Sequence, residues 1–328
     1  MSSANRAARA IDDGDVAALR TLLDDHPELL EARLEGGQGL VGRAAVALTN
    51  HQSIPLRPGT PEQAATLDLL LERGADPDQA DDEGWTALHS AAMSGHVELA
   101  RTLLNAGASL RSFAWDNPDA TPACWAMFYA HAETAELFAA RELVPDGLRS
   151  AAALGRSVRA WVDDDGELLD GATAGRGFYR PLLAFPEWDP PLDRQTTLDE
   201  ALTWASRNGR IGAMEELVEL GADLASNAYR GTALLWAAYS GRLEAIRWLV
   251  ENGADPSQRH DFGGAGHGKG ATALHLAAQF GALDTVRLLL ELGADHTLED
   301  EAFGGTPAGW AAHSGATEVA TLLEQWRS

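Results

Sequence analysis

Apolar positions along this chain recur with the spacing of helices, in short segments bounded by glycine. In one such segment Leu249 and Val250 follow Ile246 by three and four positions, which places all three on one face of a helix. Gly241 precedes the segment and Gly253 follows it, and the second glycine suits a left-handed C-cap. The pattern predicts pairs of short amphipathic helices joined by tight turns.

The pattern repeats along the chain. Its clearest copies are "GWTALHSAAMSGHVELARTLLNAGAS" from Gly84, "GTALLWAAYSGRLEAIRWLVENGAD" from Gly231, "GATALHLAAQFGALDTVRLLLELGAD" from Gly270 and "GGTPAGWAAHSGATEVATLLEQW" from Gly304. In each copy a threonine stands where an N-cap is needed, and small alanines let a second helix approach closely. Because one helix pair cannot bury its apolar face alone, we expect the pairs to stack.

The motifs Thr86-Ala-Leu-His89 and Thr272-Ala-Leu-His275, with the Gly-Ala-Asp that ends several copies, resemble the ankyrin repeat. The spacing from Thr272 to Thr306 is close to that family's period of about 33 residues. The resemblance implies an all-α fold, an ankyrin-repeat solenoid of about nine helix-turn-helix units with β-turn fingers and a concave groove. It also implies structural hydrogen bonds from His89 and His275, and a monomer.

Weaker copies extend the array over almost the whole chain, with one interruption. Residues 163–196 are too irregular for a repeat and too aromatic for a plain linker, and they include Tyr179, Arg180 and Trp188. We therefore expect an N-terminal sub-array at 1–162 with a degenerate last unit, an insertion at 163–196, and a C-terminal sub-array at 197–328. The insertion has three interpretations, a linker, a lid over the groove, or a disordered segment.

The tryptophans occupy a fixed register in the predicted repeats. Trp204, Trp236 and Trp310 each stand five residues before a turn glycine, and Trp125 takes the same place in the fourth unit. On a helical wheel this position lies opposite those that face the second helix, so we expect the rings to point into the groove. The expected aromatic stripe comprises Trp125, Tyr129, Trp204, Trp236, Phe280 and Trp310. The alternative is that these rings fill gaps between repeats.

A glycine-rich finger at 262–275 carries Lys269, the only lysine in the sequence. Its spacing is close to that of a phosphate-binding loop, but Gly270 follows the lysine and no apolar strand precedes the loop. The finger is therefore either a plain surface loop or a ligand-facing loop carrying His260, His267 and Lys269.

The net charge of −24 argues against nucleic acid and against an anionic membrane surface as partners. The acidity serves either solubility or an acidic groove for a basic partner. A single cysteine, Cys124, allows no intrachain disulfide. The sequence also lacks an apolar run of about 18 residues and the apolar segment of a signal peptide, so we expect a cytoplasmic protein.

No metal-ligand spacing or strong catalytic signature is evident, so we expect no metal and no cofactor. The acid–base candidates, should the protein be an enzyme, are His267, Lys269, His313, Tyr179 and Asp300. The candidates for ligand or partner binding are the aromatic stripe together with Tyr179, Arg180, Trp188, Tyr229 and Arg230.

Two functions remain open at this point. The first is a binding module that holds a protein or peptide in the aromatic groove. The alternative is a pocket roofed by residues 163–196 that binds a small apolar molecule, with or without cofactor-free acid–base chemistry of an isomerase, lyase or cyclase. Whether the protein is an enzyme stays open.

Overall fold

A computed structural model describes residues 1–49, 59–109, 111–141, 144–177, 191–260 and 268–326. Helices dominate this part of the chain, and the all-α prediction is confirmed. Short 3-10 helices lie at Pro27–Glu31, Glu35–Gly37 and Arg159–Trp161. The α-helices are α1 (Ser3–Asp13), α2 (Val16–Asp25), α3 (Leu40–Thr49), α4 (Pro61–Glu72), α5 (Ala87–Ser94), α6 (Val97–Asn105), α7 (Pro122–Phe128), α8 (Ala132–Ala139), α9 (Leu148–Leu154), α10 (Arg194–Arg207), α11 (Ile211–Glu219), α12 (Ala233–Tyr239), α13 (Leu243–Glu251), α14 (Ala273–Gln279), α15 (Leu283–Glu291), α16 (Pro307–Ser314) and α17 (Thr317–Gln325).

Threonine starts the first helix of most pairs, as the sequence predicts. The Thr232 hydroxyl accepts a hydrogen bond of 3.1 Å from the Leu235 backbone N–H at the start of α12. At Thr86 the cap is reciprocal, because the His89 ring accepts the Thr86 backbone N–H at 3.1 Å. Gly95 ends α5 with φ of 69°, a conformation that glycine adopts without strain.

The helices pack as two stacked rows in each part of the array. The first helices of successive pairs pack on one another, α1 on α3, α3 on α5 and α5 on α7, then α9 on α10 and onward to α16. The second helices pack against their partners and against the next second helix. Fully buried alanines line the first helices, which lets them approach closely and supplies the core.

The chain divides into two compact units, Met1–Val144 and Pro145–Ser328, here called unit 1 and unit 2. Helix α9, which repeat spacing places in the N-terminal sub-array, packs on α10 and so groups with unit 2. Helix α10 begins at Arg194, ahead of the sub-array start expected at 197. The repeat-based boundaries at 162 and 197 remain predictions.

The connections between pairs are finger loops, and isolated antiparallel bridges stand in several of them. These bridges join Arg33 to Gly39, Val162 to Leu168 and His260 to Ala271. Nε2 of His89 lies 3.1 Å from the carbonyl oxygen of Ala120 in the next finger, and Nε2 of His275 lies 3.0 Å from that of Gly305. Both histidines therefore make the structural hydrogen bonds that the resemblance implies.

No helix in the part of the chain that the structure describes has both the length and the apolarity needed to span a membrane.

Candidate functional site

Unit 2 contains a row of aromatic rings that runs across three successive repeats. The Trp204 ring on α10 lies 5.7 Å from Tyr229, which lies 6.0 Å from Trp236 on α12. The row continues through Tyr239, 5.6 Å from Trp236, to Phe280, 5.2 Å from Tyr239. These distances between ring centroids are those of directly packed aromatic pairs. We call these five side chains the ring row.

The ring row is buried at one end and accessible at the other. Trp204 is 1% exposed and Trp236 is 3% exposed, whereas Phe280 is 59% exposed. The indole N–H of Trp236 donates to the Tyr229 carbonyl oxygen at 3.0 Å, which joins the ring to the finger before α12. Trp204, Trp236 and Phe280 were all expected in the stripe, but their exposure differs. Of the three, only Phe280 has a largely exposed side chain.

Two buried arginines lie against the faces of these rings. The guanidinium carbon of Arg149 is 4.8 Å from the centre of the Trp204 ring and 5.2 Å from that of Tyr229. The guanidinium carbon of Arg207 is 4.3 Å from Trp236. Stacking of a cation on a ring face is favourable, and more so away from water. The two arginines therefore contact the rings of Trp204, Tyr229 and Trp236 in the row.

Arg149 also belongs to a buried ion-pair group. Its Nη2 lies 3.1 Å from Oε2 of Glu200, and Arg176 donates to the same carboxylate from Nε at 2.6 Å and from Nη2 at 2.9 Å. All three side chains are almost completely buried. Since Arg176 follows α9 by a long loop and Glu200 lies on α10, the group fixes the described end of the insertion against the array.

Trp310, the last member of the expected stripe, is half-buried and anchored by a carboxylate. Oδ2 of Asp300 accepts the Trp310 indole N–H at 2.9 Å. Oxygens of Asp300 also accept the backbone N–H groups of Ala302, Phe303 and Gly305 at 2.7 to 2.8 Å. Burial opposes ionisation of this carboxyl, but these four hydrogen bonds outweigh it and lower the pKa of Asp300 below its usual value.

Glycine is required beside Trp310 because backbone passes close to its ring. A Cβ on Gly268 would lie 2.8 Å from the ring, and φ at Gly268 is 110°. Lys269, the next residue, is exposed, and its Nζ lies 3.7 Å from Oε2 of Glu301. The finger that the sequence singled out therefore covers Trp310 with its described end, where its lysine makes a surface ion pair.

The remaining candidates are dispersed. His313 is exposed near the end of α16, and Arg230 is buried in a left-handed conformation with φ of 50°. Tyr129 is half-buried and its ring stacks on Trp125 at 5.9 Å, while Trp125 itself is buried.

Four further candidates lie outside the described residues: His267, Tyr179, Arg180 and Trp188. The small-molecule alternative includes His267 and Tyr179 among its acid–base candidates and residues 163–196 as its roof, so it stays a hypothesis.

Unit 1 holds a second aromatic group that the sequence analysis missed. Trp85 and Trp115, in two successive fingers, each pack edge to face on Trp125, at 5.0 Å and 5.2 Å. Both finger tryptophans are half-buried, so part of each ring meets solvent. The signal was present in the sequence, because each tryptophan adjoins acidic residues in a finger, at "DDEGW" and "AWD". The helical register does not include these two positions, because both tryptophans lie in fingers.

Buried histidines contribute structure in this array. Burial lowers the pKa of His89 to about 4 and that of His260 to about 3, so both rings are neutral near pH 7. Among the residues in the described ranges, no group of three or more histidine, cysteine, aspartate or glutamate side chains is arranged to hold a metal ion.

A surface depression of about 620 Å³ lies at the C-terminal end of unit 2. None of the acid–base candidates from the sequence lines it. Its lining residues are Leu290, Glu291, Gly293, Ala294, Asp295, His296, Thr297 and Trp326.

Comparison with family models gives two matches. The model described as ankyrin repeats (3 copies) matches residues 62–145 and 180–260. The model described as ankyrin repeats (many copies) matches residues 234–290 and 274–324. No match was found among curated proteins. Together the family matches cover most of the chain, in both compact units.

Proposed function

This chain belongs to the ankyrin-repeat family, and from that premise we propose that it binds a protein partner through the accessible end of the ring row in unit 2. Ankyrin repeats are generally protein–protein interaction modules. A repeat scaffold by itself does not fix a binding surface, so the proposal needs a specific site on it.

The main observation in support of this proposal is the exposure of Phe280. Its side chain is 59% exposed although it packs on Tyr239 at 5.2 Å, at the end of a continuous row of rings. A large apolar side chain left in solvent costs free energy that a partner can recover by covering it. Interface anchors are commonly aromatic side chains near the centre of a contact.

The rest of the row supports this anchor from beneath. Tyr239 packs on the buried Trp236 ring, whose indole is hydrogen-bonded and whose face carries Arg207. A rigid platform loses little conformational entropy when a partner docks. In this proposal Phe280 and Tyr239 touch the partner, while Trp204 and Trp236 hold the platform in place.

The partner is a protein or peptide that presents an apolar side chain to Phe280. Trp310 on α16 and Tyr129 in unit 1 are also half-exposed members of the expected stripe, and each extends the same proposal within its own unit.

The test uses site-specific photo-crosslinking in the cells that produce the protein. A photo-reactive phenylalanine analogue replaces Phe280, and in a matched control it replaces Leu192, an apolar residue of unit 2 that is 67% exposed. The partner captured at 280 is purified, and its affinity is measured for wild type, Phe280→Asp and Leu192→Asp. We expect Phe280→Asp to weaken binding about tenfold or more and Leu192→Asp to leave it unchanged. Equal effects of the two substitutions, with both proteins folded by circular dichroism, would contradict the proposal.

A further inference from the structure

Two finger tryptophans of unit 1 stand half-exposed on a buried third ring. Trp85 and Trp115 pack on Trp125, and their own centroids are 6.2 Å apart with planes inclined by 40°. Trp125 is buried, so it forms the floor of the group. Trp85 and Trp115 are half-buried, so part of each ring is accessible to solvent. We call these two rings with their acidic neighbours Asp82, Glu83 and Asp116 the finger surface.

Hydrogen bonds between the two fingers fix the finger surface. The Trp115 backbone N–H donates to the Glu83 carbonyl oxygen at 2.7 Å, and its indole N–H donates to Oε2 of Glu83 at 3.1 Å. The Trp85 indole N–H donates to the Ser90 hydroxyl at 2.9 Å. Hydrogen bonds of the indole nitrogens therefore orient both rings.

Glycine and left-handed backbone bring the fingers together. Gly84 has φ of 80°, and a Cβ there would lie 2.6 Å from the Phe113 carbonyl oxygen, so only glycine fits. Trp115 and Asp116 have φ of 57° and 52°, a conformation that costs non-glycine residues free energy. The fold maintains this left-handed conformation at both positions, and the Asp116 side chain is exposed.

The charge at the finger surface is strongly negative. Asp82, Glu83 and Asp116 are all exposed. Arg111 is the one basic residue in the two finger segments 79–86 and 109–119 of the sequence. Arg33, from the preceding finger, donates to the carbonyl oxygens of Gly37 and Ala80. The surface thus combines aromatic faces with carboxylates, the combination that attracts an organic cation.

We infer that the finger surface binds a basic segment of a protein partner, with an arginine or lysine side chain laid on the Trp115 or Trp85 ring and paired with the carboxylates of Asp82, Glu83 and Asp116. An aromatic face attracts a guanidinium or ammonium group, and an adjacent carboxylate adds a charge-assisted hydrogen bond. The acidic net charge of −24 further favours encounter with a basic chain. The inference rests on the proposed protein-binding function and adds the chemistry of the partner.

The test uses the full-length protein and a fluorescein-labelled peptide of alternating glycine and arginine, with binding followed by fluorescence anisotropy. A second peptide carries citrulline in place of each arginine, which preserves shape and removes charge. We expect the arginine peptide to bind wild type at least about tenfold more tightly than the citrulline peptide does. Equal affinity for the two peptides, or no binding of either, would overturn the inference without any variant being made.

Variants separate this surface from general attraction to an acidic protein. The triple variant Asp82→Asn, Glu83→Gln, Asp116→Asn removes three charges from the finger surface. The control triple variant Asp68→Asn, Glu72→Gln, Glu133→Gln removes three charges from exposed helix positions of the same unit. We expect about tenfold weaker arginine-peptide binding for the first and less than about threefold for the second. The same loss in both would overturn the inference.

Trp115→Leu tests the ring, because leucine keeps an apolar side chain and removes the aromatic face. We expect about tenfold weaker binding of the arginine peptide, with Trp115→Phe intermediate and the fold checked by circular dichroism. Wild-type affinity in a folded Trp115→Leu protein would overturn the role of the ring. The two proposals fail separately, because the Phe280 test reads unit 2 with a captured partner, whereas the peptide test reads unit 1.

Discussion

Asp300 accepts a hydrogen bond of 2.9 Å from the indole nitrogen of Trp310, ten positions further along the chain. The same carboxylate accepts three backbone N–H groups of its own finger. The sequence made Asp300 an acid–base candidate. In the structure its carboxylate joins its own finger to the following helix, α16, through these hydrogen bonds.

Replacement of Asp300 by alanine should destabilise the end of the array. The change leaves four donors without their acceptor, and we expect a loss of about 1–3 kcal/mol in the free energy of unfolding. The measurement is urea unfolding followed by circular dichroism. Asp295→Ala is the control, because exposed Asp295 accepts hydrogen bonds from Thr297 alone among the described contacts. An equal loss in both variants would show that Trp310 is not fastened in this way.

Replacement of Glu200 by glutamine should cost far more than loss of a surface ion pair. The change leaves Arg149 and Arg176 buried beside a neutral group, and we expect a loss of about 3–5 kcal/mol. Glu219→Gln breaks the exposed pair with Arg159 and should cost at most about 1 kcal/mol. Unfolding free energies of the two variants compare the pairs directly, and similar values would refute the central role of Glu200.

Truncation of Trp236 should cost far more stability than truncation of Phe280. Trp236→Ala removes a buried ring, its hydrogen bond to Tyr229 and the surface under Arg207, so we expect a loss of about 3–5 kcal/mol. Phe280→Ala removes a ring that already meets solvent and should change stability by no more than about 0.5 kcal/mol. Thermal melting measured in parallel checks both. A marginal effect of Trp236→Ala would mean that the ring is not part of the core.

Stability should fall as the pH is lowered towards 4, in part because of His89. Burial lowers the pKa of His89 from 6.5 to about 4, so the unfolded chain binds a proton at a higher pH than the folded chain does. The contribution of the neutral ring is fully present above pH 6.5 and is lost as the pH falls towards 4, by roughly 3 kcal/mol in total.

Urea unfolding at pH 7 and pH 5 measures this effect. His89→Gln should show a smaller difference in unfolding free energy between the two values than wild type shows. His313→Gln, at an exposed position, should keep the wild-type difference. An unchanged difference in His89→Gln would contradict the assignment of this pH dependence to His89.

The helix pairs could be predicted from the sequence because their determinants are local. Thr232 caps α12 through a donor only three residues away, and Gly95 ends α5 at the position directly after that helix. A short stretch of sequence therefore carries the information for each helix end. The structural hydrogen bonds of His89 and His275 were expected from the resemblance to the ankyrin repeat. Unit 2 as a compact body was not, because α9 is fixed to it by the contact of Arg149 with Glu200, which is far along the chain.

The exposure of the rings could not be predicted from the register. A helical wheel gives the direction of Trp204 and Trp236 relative to their own helices, and both directions are equivalent in the repeat. Their burial depends on Tyr229, which comes from a finger, and on arginines from neighbouring helices. Trp310 occupies the equivalent position in a later repeat and is half-buried. The surroundings of equivalent positions therefore differ for reasons that no single repeat contains.

The histidine of each capping box serves two repeats at once. The Thr86 backbone N–H donates to one nitrogen of the His89 ring, and the other nitrogen reaches the finger that follows; His275 does the same. A unit copied by gene duplication would thus carry its own fastening to whatever finger comes next. Arrays of this kind can gain or lose whole repeats and keep the same hydrogen bond between neighbours, provided that the following finger offers a carbonyl oxygen at the matching position.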